Sequence, residues 1–192
     1  MKKLANTFII SPDVARAGVI RFSSQSELSI KLRDCNDIVS FSNAVDALSL
    51  NSSTSRIDRA LRRAQKDLFT PENGGRLHVR KLLVLLIDVT QHAAAYSENP
   101  GVISDELREI GVSVIVIGIG NNTDIRVLDY LAGGDRKAFL IKSFDELSAE
   151  DFVIQLKEKA CSEGMLFACI YIQTYSNQRN LISTYSIALI SC

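Results

Sequence analysis

Six consecutive apolar residues, Leu82 to Ile87, run between Lys81 and Asp88 with no polar alternation. A run this short cannot span a membrane, and its lack of a period-2 pattern reads as a central parallel strand buried on both faces. Val112 to Ile119 reads as a second strand of the same kind, and Lys137 to Ile141 as the next. Between the strands the period becomes helical. Val102 to Ile110 carries Ile103, Leu107 and Ile110 on its inward face and is ended by Gly111; Asp124 to Leu131 is a further helix. A last helix covers Asp145 to Cys161, with Leu147, Ile154 and Leu156 inward. Strands alternating with helices from Lys81 onward predict an α/β fold, a doubly wound (Rossmann-like), mostly parallel sheet with helices on both faces.

Upstream, Leu4 to Ile10 reads as the end of a helix stopped by Ser11-Pro12-Asp13. Ala15 to Phe22 and the alternating Leu28 to Leu32 form a hairpin through Ser23 to Glu27, the second strand half exposed at a sheet edge. Asn36 to Leu48 has amphipathic spacing, with Ile38, Val39, Phe41, Ala44, Val45 and Leu48 apolar. Arg56 to Phe69 is the clearest helix: Ile57, Ala60, Leu61, Ala64 and Leu68 share one face, and Ser55 with Asp58 resembles a capping box. Its Arg56, Arg59, Arg62, Arg63 and Lys66 read as a solvated face, with a binding surface as the alternative. From Ser162 to Cys192 the pattern changes, because Glu163 and Arg179 are the charged residues there and Leu166 to Ile172 and Ile187 to Ile190 are apolar and β-prone. The chain therefore divides into a domain over 1–161 and a tail over 162–192. The tail either packs as strands or is an aggregation-prone appendage.

Charge adds little, since 22 Lys plus Arg balance 22 Asp plus Glu and no global field favours nucleic acid or an anionic membrane. Cys35, Cys161, Cys169 and Cys192 have no metal or redox spacing with each other or with His78 and His92. The first ten residues make a poor signal peptide, and no segment is long and apolar enough to be a transmembrane helix. Two glycosylation sequons, at Asn51 and Asn121, suit an extracellular surface. Asp88 emerges at the carboxyl end of a central strand, where open α/β sheets collect ligands; it is a site candidate, with a capping role as the alternative. Gly118-Ile119-Gly120 hints at a nucleotide-binding enzyme, but the further glycine of that fingerprint is replaced by Thr123 and no Walker sequence exists, so the two glycines read as permitting a tight turn. No nucleophile elbow or Cys/His constellation gives catalysis a footing.

Taken together, Ile10 to Ser23, Ser53-Thr54 ahead of a helix ending Leu68-Phe69-Thr70-Pro71-Glu72-Asn73-Gly74-Gly75-Arg76, Leu83 to Asp88, Gly111 to Gly120, Phe144 to Leu147 and Cys161 resemble a von Willebrand factor A domain of the collagen and matrilin type. The resemblance implies an extracellular adhesion module with a metal-ion-dependent adhesion site, where an acidic residue of the ligand completes the shell of Mg²⁺ or a similar divalent cation. It maps two of the family's ligands to Thr54 and Asp88. The third group, an Asp-x-Ser-x-Ser after the family's first strand, has no counterpart in this sequence. One acid and one hydroxyl are too few for Mg²⁺, so binding is expected to be weak or absent. The same comparison leaves the first central strand missing from the sheet, and a tail segment, Leu166 to Gln173, is expected to fill the gap; the alternative is an incomplete fragment that folds poorly. The resemblance also leaves Cys161 without the partner it can have in the family, with Cys169 or Cys192 as substitutes. The implied partner is an extracellular matrix or cell-surface protein, bound through an incomplete metal site or without metal altogether.

Overall fold

The computed structural model describes residues 10–49, 56–88, 96–120, 125–134, 138–162 and 185–191. The chain opens with strand β1 (Arg16–Phe22), turns at Ser23–Gln25 and returns antiparallel as β2 (Ser26–Ile30). Helix α1 (Ile38–Asp46) follows, started by an Asp37–Ser40 capping box. Helix α2 (Ile57–Arg63) runs on into a π-helical turn over Ala64–Leu68. Then come β3 (Lys81–Asp88), α3 (Pro100–Glu109), β4 (Val112–Ile119), α4 (Ile125–Ala132), β5 (Ala138–Ile141) and α5 (Glu150–Ser162), the last preceded by a 3₁₀ turn over Phe144–Ser148. The final described strand is β6 (Tyr185–Ser191). The helix expected over Leu4 to Ile10 falls largely outside the described residues, as does Leu166 to Gln173.

The six strands form one sheet in the order β2-β1-β6-β3-β4-β5. β3 is parallel to β4, and β4 to β5. β6 is antiparallel to both of its neighbours, so β1 and β3 run in the same direction on either side of it. Phe22, Asp88, Ile119 and Ile141 therefore end their strands at one edge of the sheet, the carboxyl edge.

The lane between β1 and β3, which the resemblance gives to the family's first strand, is occupied by a segment from the tail. The segment differs from the expected Leu166 to Gln173: Tyr185 to Ser191 pairs with β1 from Phe22↔Tyr185 to Arg16↔Ser191 and with β3 from Leu85↔Ile187 to Lys81↔Ser191. β3 is thus parallel to one neighbour and antiparallel to the other, which its apolar run alone does not reveal.

Alternation along β3 serves two layers. Leu82, Val84 and Leu86 join a core with Phe41 of α1 and Phe152 and Leu156 of α5. Leu83, Leu85 and Ile87 join a second core with Leu61 of α2, Ile103 and Leu107 of α3, and Leu128 and Leu131 of α4. Both faces are covered by helices, and that is why the strand reads as unbroken apolar sequence. Two residues expected inward, Ile110 and Ile154, are exposed instead, as is Val39 of the amphipathic α1 segment. Ile110 caps the last turn of α3, where the helical period no longer fixes direction.

Gly118 and Gly120 differ in role. Gly120 has φ of 114° and makes the turn that leaves β4. Gly118 lies inside β4, where an added Cβ would stand 2.4 Å from Leu128 Cδ1; it lets α4 pack against the sheet rather than permitting a turn. Gly118→Val is expected to lower stability by about 1–3 kcal/mol through overpacking, read as a reduced urea midpoint with an unchanged slope. An unchanged midpoint would show that α4 has room there.

Candidate functional site at the carboxyl edge of the sheet

Asp88 closes β3, paired in register with Ile119 of β4. The sequence reading therefore places its backbone correctly, at the carboxyl end of a central strand; its side chain and the whole of Thr54 lie outside the described residues. What the structure describes in full is the rim of this edge, formed where the chain leaves the 50–55 and 89–95 stretches.

Along that rim α2 is fastened to the β1–β2 turn. The Arg56 main-chain N–H donates to Ser23 O at 2.8 Å. Arg59 Nη1 donates to Ser24 O at 2.6 Å and to Gln25 Oε1 at 2.9 Å. On the other side Arg62 bridges Glu98 and Glu106, both at 2.5 Å. Hydrogen bonds from Arg62, then Gln65, hold the Glu106 carboxyl below its ordinary pKa. The arginines of α2 are therefore mostly a seam between the hairpin and α3, which corrects their reading as a freely solvated face. They border an open groove lined by Ser26, Arg59, Arg63, Lys66 and Glu98 among others.

The capping box expected from Ser55 and Asp58 rests on Ser55, which lies outside the described residues. Arg56 stands at the N-cap of α2, and among the described residues no side chain makes a capping hydrogen bond there. Asp58 is 3% exposed. It accepts from Arg56 Nε at 2.8 Å and Nη2 at 2.5 Å, and from the Ser97 main-chain N–H at 3.0 Å. Arg56 Nη2 also donates to Ser97 Oγ at 2.7 Å. Burial raises the Asp58 carboxyl, but the hydrogen bonds from Arg56, Ser97 and the Arg59 main chain, with the Arg56 charge, outweigh it and leave the pKa lowered. Sequence reasoning gave Asp58 a capping role and missed its pairing with Arg56 and Ser97, although a signal was present: Asp58 sits three residues before Leu61, on the apolar stripe of its own helix, where an unpaired carboxylate is too costly to persist.

For a divalent cation the described donors do not suffice. Among the described residues no three His, Cys, Asp or Glu side chains gather where they could hold a metal ion. The direction of β6 bears on the same question. Its amino end, Tyr185, stands at the carboxyl edge, so in this lane no loop leaves a strand at the edge where Asp88 emerges. Cys35 is buried and free, and burial, then the nearby Asp34 and Asp37 charges, push its thiol pKa up. Among the described residues no helix is long and apolar enough to cross a membrane.

Comparison with known proteins agrees with this architecture. The family model for the von Willebrand factor type A domain matches residues 1–153. The chain is 30% identical over 149 residues to von Willebrand factor A domain-containing protein 2 of Xenopus laevis, covering 77% of this chain and 18% of that protein. It is 29% identical over 148 residues to the human collagen alpha-6(VI) chain, covering 77% of this chain and 6% of that one. The chain thus spans less than a fifth of the length of these relatives. Among solved structures, proximal thread matrix protein 1 from the mussel byssus superposes with a TM-score of 0.74 at 23% identity, covering 83% of this chain and 40% of that one. Another structure of that mussel protein has a zinc-occupied MIDAS motif and gives a TM-score of 0.73 at 23% identity, covering 83% and 41% of the two chains. With the same fold, a mixed α/β sheet covered by helices on both faces, and a family match over most of its length, the chain belongs to the von Willebrand factor type A domain family.

Proposed function

We propose that this chain is an extracellular adhesion or matrix-binding module, a binding rather than a catalytic unit, whose metal-ion-dependent site is incomplete. The observation that carries the reading is its family membership alongside relatives named as collagen chains. The partner is an extracellular matrix or cell-surface protein, docked at the carboxyl edge beside Asp88. Thr54 and Asp88 remain as the remnant of the cation site. The reversed course of β6 supports docking without metal, because the lane beside Asp88 begins a strand at this edge rather than ending one. One carboxylate and one hydroxyl add little to the hydration shell that Mg²⁺ already holds.

Two measurements test the two halves separately. In calorimetric titration with Mg²⁺ or Mn²⁺, the expected result is no saturable binding at sub-millimolar ion, with Asp88→Ala giving the same trace. Tight binding abolished by that substitution would overturn the incomplete site. On surfaces carrying collagen, fibronectin or laminin, the chain is expected to bind at least one saturably and equally well in EDTA. Failure on all of them, with the folded chain, would count against the matrix reading.

A further inference from the structure

The open groove beside the arginine seam encloses about 410 Å³ and is bounded by α2, by Gln25 and Ser26 of the hairpin, and by Ser97 and Glu98 ahead of α3. Three of the cations that line it are matched by carboxylates: Arg56 by Asp58, Arg62 by Glu98 and Glu106, and Arg63 by Asp67. Two are not. Arg59 Nη1 donates to neutral acceptors, Ser24 O and Gln25 Oε1, so the guanidinium is held in place with its charge uncompensated. Lys66 makes no ion pair among the described residues; it acts by charge on Glu106, whose Oε2 already accepts from Arg62 and Gln65. We propose that this groove takes an acidic peptide segment of the partner protein, with Arg59 and Lys66 receiving two of its carboxylates. The proposal rests on the matrix-binding reading for the source of that segment and gives the segment a chemistry.

The two cations are suited to different parts of the task. Arg59 is tied to the β1–β2 turn before any ligand arrives, so little further side-chain freedom is lost on binding. Its planar fork matches a carboxylate bidentately, whereas Lys66 is a point charge on a flexible stem. Lys66 stands seven residues after Arg59, about 10 Å further along the helix and on the same face. It also lies in the π-helical turn over Ala64–Leu68, a distortion that recurs at functional sites. A peptide in the polyproline II conformation returns to one face every three residues, about 9 Å apart. Two acids spaced Asp-x-x-Asp therefore fit the pair.

The rim favours a peptide over a continuous polyanion. Asp67 and Glu98 line the same groove with side chains 37% and 52% exposed, and they would repel a chain of closely spaced sulfates. A peptide sets neutral amides between its carboxylates, and Gln25 and Ser26 offer those amides hydrogen-bonding groups.

Fluorescence anisotropy on the whole chain, with a labelled Asp-Pro-Pro-Asp peptide as probe, tests the groove directly. The expected result is saturable binding, at least fivefold tighter than for Asn-Pro-Pro-Asn and weakening as salt is added. Lys66→Ala is expected to weaken it at least threefold and Arg59→Ala at least fivefold. Lys31 follows β2 at the opposite edge of the sheet, and Lys31→Ala, which removes the same charge there, is expected to leave binding unchanged. Should Arg59→Ala fail to fold, Lys66→Ala decides, because Lys66 carries no bond of the seam. Equal binding of the two peptides, or a loss in Lys31→Ala as large as in Lys66→Ala, would overturn the proposal. A heparin fragment that bound more tightly than the peptide and was lost with Lys66→Ala would give the groove to a sulfated glycan and overturn it too. Failure of the peptide while a matrix surface still binds leaves the matrix reading standing, and a bound peptide with no matrix surface bound leaves the groove standing.

Discussion

A chain ended after Cys161 is expected to lose its cooperative unfolding transition. β6 supplies the middle lane of the sheet, pairing with β1 along its whole length and with β3 from Lys81 to Leu85. Removing it leaves two strand edges open where the surrounding residues are most deeply buried: Ala17, Ile20, Leu83 and Leu85 have no measurable exposure. Each interior N–H or C=O left without a partner costs roughly 1 to 3 kcal/mol. A handful of such groups equals the ~5–15 kcal/mol that holds a whole domain. The truncated chain is expected to give a shallow, non-cooperative urea profile by far-UV circular dichroism, with hydrophobic surface exposed to dye. A gentler variant keeps the tail. Leu189→Pro acts at the register position between Gly18 and Leu83, where proline removes a ladder donor in the sheet interior and should lower the midpoint sharply. If the truncated chain unfolded at the original midpoint with the original slope, β6 would not be part of what holds this domain together.

The contrast between β3 and β6 explains what could be read from sequence and what could not. β3 and β4 were legible because burial on both faces is a local property: each residue meets a helix whichever way it points, and the run becomes wholly apolar. The turn at Gly120 was legible for a similar reason, since a positive φ imposes glycine at the position itself. β6 was not. Leu166 to Ile172 and Ile187 to Ile190 are both short, apolar and β-prone. Which of them enters the lane is settled by register against Arg16–Phe22 and Lys81–Leu85, partners more than a hundred residues away. No local pattern encodes that choice. The candidate site divides in the same way. Asp88 was placed at the end of an apolar strand, as β3 has it, while Asp58 was given a capping-box role because its partner Ser97 belongs to a different connection. The arginines of α2 were misjudged for the same reason: a cation on a helical surface looks solvated until the hairpin and α3 are laid beside it.

Asp58 also carries the second large expected effect, and its sign with pH separates it from a simple loss of packing. At neutral pH, Asp58→Ala removes the buried partner of Arg56 and leaves the Ser97 N–H without its acceptor. The pair is part-buried, and losing the acceptor of its hydrogen bonds costs about 1–3 kcal/mol, a sizeable part of a domain's stability. The folded-state pKa of Asp58 is lowered, so in the folded chain the carboxylate holds its proton less readily than in the unfolded chain, where the ordinary value is about 3.9. Its contribution is therefore complete above about pH 4 and is lost as the pH falls through the folded value. Urea midpoints of the original chain and of Asp58→Ala should differ by the same wide margin from pH 6 to 8, then converge in acid as the original chain weakens and the variant, having no carboxylate to protonate there, changes less. Margins that stayed equal down to the acid limit would assign the loss to the cavity left by the side chain, and equal midpoints at neutral pH would remove Asp58 from the forces that hold this edge.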